Sequence, residues 1–226
     1  MVNALTLCVE DQNILAIKSS LDFLYKYLPL KSEALSDQGK LKLIRGVVWL
    51  LGKRDTSVTR KINLWLFGKP DDENRYSVNQ SHLSLIIEVV VGILSKQQSL
   101  EPLKIVINLL TEHEDLPSLI LKQLVPFILE FCMSHENHQE NAKEVIKNMH
   151  RLIDRVRPHL PLFSTSLSED LMGNIASKSF KSAQKSLNLA SFFVNKIVKP
   201  EDIKTMIYSY LRILLEGSIL ANWEDH

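Results

Sequence analysis

Lys53-Arg54-Asp55-Thr56-Ser57-Val58-Thr59-Arg60-Lys61-Ile62-Asn63-Leu64-Trp65-Leu66-Phe67-Gly68 is the stretch on which the reading of this chain turns. Asp55 stands where a helix N-cap stands, because its carboxylate can accept from the free N–H groups of the first turn. Val58, Ile62 and Trp65 recur at helical spacing on one side, while Leu64 and Phe67 point elsewhere. The helix predicted over 56–67 is therefore apolar on two sides and needs neighbours on both. Gly68 supplies the left-handed residue that closes it, and Pro70 bars its continuation.

The same periodicity recurs on both sides of this stretch. Residues 1–8 read as helix. Asp11 or Asn13 then starts a helix with a stripe of Ile14, Ile17, Leu21, Leu24 and Leu28, opposed by Lys18, Asp22 and Lys26 and ended by Pro29. Over 40–51, Leu41, Ile44, Val48 and Leu51 share a face, with Lys40, Lys42 and Arg45 outside. Beyond the acidic Pro70–Asn74 loop, helices are predicted over 79–96, 100–111 and 116–133, and Pro126 is expected to kink or split the last. The cleanest amphipath is 139–157, with Ala142, Val145, Ile146, Met149, Leu152, Ile153 and Val156 on one face. Residues 158–182, rich in serine and lysine, read as a loop or a weak break. Helices over 183–198 and 201–216 follow.

Helices without strands, joined by short connections, give an all-α class. Paired antiparallel helices in units of about 40 residues point to a HEAT- or armadillo-like right-handed superhelical solenoid. The expectation is a single solenoid segment over 1–226, with about five helix pairs; a compact bundle is the alternative.

A chain of 226 residues, 45% hydrophobic, 23% charged and with net charge +1, has no global basic excess of the kind that marks a nucleic-acid binder. Cys8 and Cys132, far apart among apolar neighbours, read as buried reduced thiols of a cytosolic protein. The first residues lack the basic region and cleavage site of a signal peptide. The run Leu85–Leu94 is too short to cross a bilayer and carries Glu88, so no membrane span is expected.

Two basic clusters are candidate anion sites. Lys143, Lys147, Arg151 and Arg155 recur every four residues as one row, able to meet anionic lipid headgroups; the alternative is a solvated face paired with Glu140, Glu144 and Asp154. Lys53, Arg54, Arg60 and Lys61, with Lys40, Lys42 and Arg45 nearby in sequence, surround the start of the 56–67 helix, whose N–H groups could hold a phosphate if Asp55 did not already occupy them. Cys132, His135 and His138 do not have a usual metal-ligand spacing. No glycine-rich phosphate loop and no nucleophile, base and acid set is apparent, so neither an enzyme nor a cofactor is expected. The serines of 164–168 and 177–182 could accept phosphate, as any polar loop could.

Two segments together resemble the N-terminal region of the Dopey family, large cytosolic proteins of Golgi and endosomal traffic. One is Glu10-Asp11-Gln12-Asn13-Ile14-Leu15-Ala16-Ile17-Lys18-Ser19-Ser20-Leu21-Asp22-Phe23-Leu24 with Leu28-Pro29-Leu30; the other is the 53–68 stretch. A weaker third match is Glu101–Leu110, and the resemblance covers roughly 9–130. Ala16-Ile17 and Asn63-Leu64 depart from the family's Val-Gln and Tyr-Ala without altering the helical pattern. The resemblance implies a non-enzymatic scaffold, peripheral on Golgi, trans-Golgi and endosome membranes. It also implies phosphoinositide-bearing membranes, a large Golgi guanine-exchange-factor-like scaffold, aminophospholipid flippases and kinesin light chain as partners. Family proteins are several times longer, so an N-terminal portion of a larger protein is expected.

Overall fold

The computed structural model describes residues 1–53, 55–69, 80–96, 99–111, 116–136, 139–204, 207, 208 and 211. Among the described residues all regular structure is helical, so the all-α expectation holds. The chain divides into two compact units, residues 1–115 and 116–226.

The first unit contains α1 (Val2–Val9), α2 (Ile14–Tyr27), α3 (Asp37–Trp49), α4 (Thr56–Phe67), α5 (Gln80–Lys96) and α6 (Glu101–Thr111), with a 3-10 turn, Leu50–Lys53, continuing α3. The starts of α2, α3 and α4 are capped by side chains that absorb orphan amides: Leu15 N–H donates to Asn13 at 2.9 Å, Gly39 N–H to Ser36 at 3.2 Å, and Val58 N–H to Asp55 at 2.9 Å. Gly68 closes α4 at φ 84°, a backbone conformation that favours glycine, and its N–H returns to the Leu64 carbonyl at 3.1 Å. From α1 to α5 each helix rests mainly on one two places away, α1 on α3, α3 on α5 and α2 on α4, whereas α6 rests on the 3-10 turn and on α5. Ile17, Leu21 and Leu24 of α2 are buried together with Val58, Ile62 and Trp65 of α4. Trp65, expected as a core residue, is 3% exposed, and its Nε1–H donates to the Leu28 carbonyl at the end of α2 over 2.9 Å.

The second unit contains α7 (Leu116–Glu136), α8 (Gln139–Arg155), α9 (Pro161–Ala176) and α10 (Phe180–Phe192), continued by a π-helical turn, Phe193–Ile197. The central helix is α7, which touches α8, α9 and α10. At 21 residues it is long and apolar enough to cross a membrane by length and composition, a property sequence reading assigned to no segment. Its apolar residues Ile120, Leu121, Leu124, Val125, Ile128 and Leu129 are buried core, while Lys122, Gln123 and Glu130 are exposed.

Two expectations are corrected here. Pro126 does not split α7, which runs unbroken through it. Proline has no N–H for the carbonyl four residues back, that of Lys122; the Ser166 hydroxyl of α9 donates to that carbonyl at 2.6 Å and fills the vacancy. The stretch 158–182 is not a loop, since it holds all of α9 and the start of α10. Leu160, Phe163, Leu167 and Leu171 form a buried four-residue stripe within it. Its hydroxyls bond back along the helix, Thr165 to the Pro161 carbonyl at 3.1 Å and Ser168 to the Ser164 carbonyl at 2.8 Å. Phe163 stacks on Phe193, ring centroids 4.9 Å apart and planes 6° apart. Residues Tyr210 and Leu214 of the helix expected over 201–216 lie outside the described residues.

Candidate functional site

The cations of the first basic cluster begin with Lys53, at the end of the 3-10 turn. Its ammonium donates to the Asp11 carbonyl at 3.1 Å. Arg54 lies outside the described residues. On α4, Lys61 pairs with Asp22 of α2, and Arg60 is exposed with no ion pair among the described residues. Asp55 caps the helix and faces Lys18 at 3.6 Å. The Val58 amide, with Lys18 beside it, holds the Asp55 carboxyl below its ordinary pKa. The first-turn donors that would attract a phosphate are thus engaged by a carboxylate, and two of the cations are committed elsewhere. Of the neighbouring cations, Lys40 sits 3.9 Å from Asp37.

The second cluster is arranged differently. Lys143, Lys147, Arg151 and Arg155 are all exposed on α8, opposite the buried Val145, Met149, Leu152 and Ile153. None of the four makes an ion pair among the described residues. Asp154, one of the acids expected to neutralise them, is drawn away: Lys199 approaches it at 2.6 Å and Arg157 at 3.3 Å. Those bonds, Lys199's first, hold the Asp154 carboxyl below its ordinary value. Successive row positions are about 6 Å apart along the helix axis, so the row presents a line of exposed positive charge.

Sequence reading did not single out a third basic feature. A cleft of 460 Å³ in the first unit is lined by Glu10, Arg45, Trp49, Lys53, Gly92 and Lys96, among others. Arg45, Trp49 and Lys53 are spaced by four along α3 and its 3-10 continuation, whereas Lys96 lies on α5. The four-residue spacing was visible in the sequence, but the partner across the cleft is 51 positions from Arg45 (96 − 45) and only folding brings it alongside.

The residues weighed as metal ligands do another job. Cys132 is fully buried, and burial pushes its thiol well above its ordinary pKa. His135 is 7% exposed, donates Nδ1–H to the Phe131 carbonyl at 2.9 Å and stacks on the Phe131 ring at 4.1 Å. His138 lies outside the described residues. Among the described residues no three His, Cys, Asp or Glu side chains converge on a point that could hold a metal. Cys8, expected to be buried, is exposed: on α1 its neighbour Val9 takes the inward position.

Comparison with known proteins finds a family match for the first part of the chain. The family described as "Dopey, N-terminal" matches residues 1–71, which takes in both segments that carried the resemblance. The weaker third segment, Glu101–Leu110, lies beyond that match. A "Protein DOP1 homolog" of Drosophila melanogaster is 31% identical over 74 residues, which are 33% of this chain and 3% of that protein. The chain therefore matches only a small part of its curated relative's length. Over residues 1–71 the chain is thus similar to the N-terminal segment of the Dopey family.

Proposed function

We propose that this chain is a non-enzymatic scaffold of Golgi and endosome membrane traffic, built as a HEAT-like α-solenoid and bound by protein partners along its helix faces. The observation that carries the reading is the packing of the Dopey-like unit, in which α1, α3 and α5 form one row and α2 and α4 another. Helices stacked in this way bury their cores between successive pairs and leave long outer faces for partners. By family resemblance the partners are a large Golgi guanine-exchange-factor-like scaffold, aminophospholipid flippases and kinesin light chain. The test is co-precipitation of these proteins with the tagged chain from cell extract. Recovery of none of them refutes the scaffold reading.

A second reading is favoured by the α8 row: recruitment to phosphoinositide-bearing membranes from the cytoplasmic side. Four exposed cations, with no ion pair among the described residues, suit an anionic surface, each contributing about 1 kcal/mol near it. The 53–61 corner is the weaker lipid site, since Asp55, Asp22 and the Asp11 carbonyl already occupy its donors. Flotation with phosphatidylinositol-phosphate vesicles tests the reading. Binding should weaken with salt and vanish when Lys143, Lys147, Arg151 and Arg155 are all changed to glutamate. Binding untouched by that change excludes the row.

A further inference from the structure

We propose that the cleft between α1, α3 and α5 is a docking groove for an acidic, partly apolar peptide segment of a protein partner. Three cations line it: Arg45 and Lys53 from the α3 side and Lys96 from α5. Arg45 and Lys96 make no ion pair or hydrogen bond among the described residues, and Lys53 makes only its bond to the Asp11 carbonyl. Trp49 lies between the two α3-side cations in sequence and is 38% exposed, although it belongs to a helix whose other large apolar residues are mostly buried. An exposed indole flanked by exposed cations offers an apolar plate and a polar N–H beside sites for carboxylates.

The groove also has a floor without side chains. A Cβ placed on Gly92 would lie 3.7 Å from the Arg45 guanidinium, so that head group rests over the α5 backbone where glycine leaves room. A Cβ on Gly46 would meet the Val9 side chain at 3.5 Å and the Glu10 carboxylate at 3.7 Å. The resulting volume, 460 Å³, lies within the range of ordinary ligand clefts.

Charge decides the class of occupant. Glu10 stands in the same lining as the three cations. A phosphorylated headgroup or an anionic bilayer would bring dense negative charge against that carboxylate. A peptide brings isolated carboxylates for Arg45, Lys53 and Lys96, backbone N–H donors for Glu10, and an apolar side chain for Trp49. The inference rests on the scaffold reading only in taking the ligand to be a protein.

The test is fluorescence anisotropy of a labelled short peptide alternating glutamate and leucine, titrated with the whole chain at low and physiological salt. A counterpart with glutamine for glutamate is run beside it. The acidic peptide should bind and weaken with salt, and the glutamine peptide should not bind. Arg45→Glu and Lys96→Glu, both at exposed positions, should each weaken binding about tenfold, the effect of losing one close charge pair. Lys143→Glu, in the other unit, should leave it unchanged. No binding at low salt, equal binding of both peptides, or indifference to Arg45→Glu and Lys96→Glu overturns the proposal. Phosphatidylserine vesicles that bind through Arg45 and Lys96 and displace the peptide overturn it in favour of a membrane surface. Loss of partner co-precipitation with peptide binding intact would refute the scaffold reading and leave the groove standing.

Discussion

The substitution Ser166→Ala tests how a proline survives inside α7. Pro126 cannot donate to the Lys122 carbonyl, and the Ser166 hydroxyl takes that place at 2.6 Å. Ser166 is 5% exposed, so water cannot readily replace it. Removing the hydroxyl leaves a part-buried helical carbonyl without a donor, which costs about 1–3 kcal/mol. Pro126→Ala restores a backbone N–H at the position that normally serves Lys122. In that background Ser166→Ala should therefore cost about 1 kcal/mol less than it does in the wild type. The assay is urea unfolding followed by circular dichroism, for the wild type, both single variants and the double variant. A coupling near zero, with Ser166→Ala equally costly in both backgrounds, would refute the account of Ser166 as the stand-in donor. So would a wild-type Ser166→Ala with no cost at all.

Other substitutions probe the first unit and the thiols. Trp65→Ala should destabilise by about 3–5 kcal/mol, the range for truncating a buried aromatic, whereas Trp65→Phe should cost about 1 kcal/mol, chiefly for the lost bond to the Leu28 carbonyl; thermal melts that rank the two equally contradict the packing described. Asp55→Ala should lower stability at neutral pH and not at strongly acid pH. The folded-state pKa of Asp55 is depressed, so its contribution is complete above the unfolded-state value of 3.8 and disappears as pH falls through the lower folded value. A deficit in the variant's pH–stability curve that persists below that range would contradict the cap. With a disulfide-exchange reagent, Cys8 should react in the native protein, while Cys132, buried and with a raised pKa, should react only on unfolding; two fast thiols would show that α7 opens readily.

Much of the helical order was legible because local rules govern it. Asp55, Asn13 and Gly68 are short-range devices, and each does in the structure what its position implied. The periodic faces of α2 and α8 were equally plain. What escaped reading depends on long-range partners. Pro126 looked like a break because the hydroxyl that rescues it comes from Ser166, 40 residues on (166 − 126). The α9 segment looked like a loop because the seven serine or threonine hydroxyls and two lysines of 158–182 obscured the spacing of Phe163, Leu167 and Leu171. Composition cannot reveal that such hydroxyls turn back onto carbonyls of their own helix. At the candidate sites, the α8 row was readable from its repeat, but the diversion of Asp154 was not, because Lys199 and Arg157 claim it from outside that helix. The Arg45, Trp49 and Lys96 cleft needs α3 and α5 side by side.

The row packing of the first unit also bears on how the unit forms. Its principal contacts join helices that are neighbours or next neighbours in the chain, α1 with α2 and α3, α2 with α4, α3 with α5, except that α6 rests on the 3-10 turn continuing α3. No distant terminus has to be found before these contacts are made, so the entropy of closing large loops enters only modestly. During synthesis each emerging helix meets a surface already made, and α1 to α4 can bury Trp65 against α2 before α6 has been translated. Assembly of that kind is directional and quick, and it exposes an unfinished apolar face for only as long as the next helix takes to arrive.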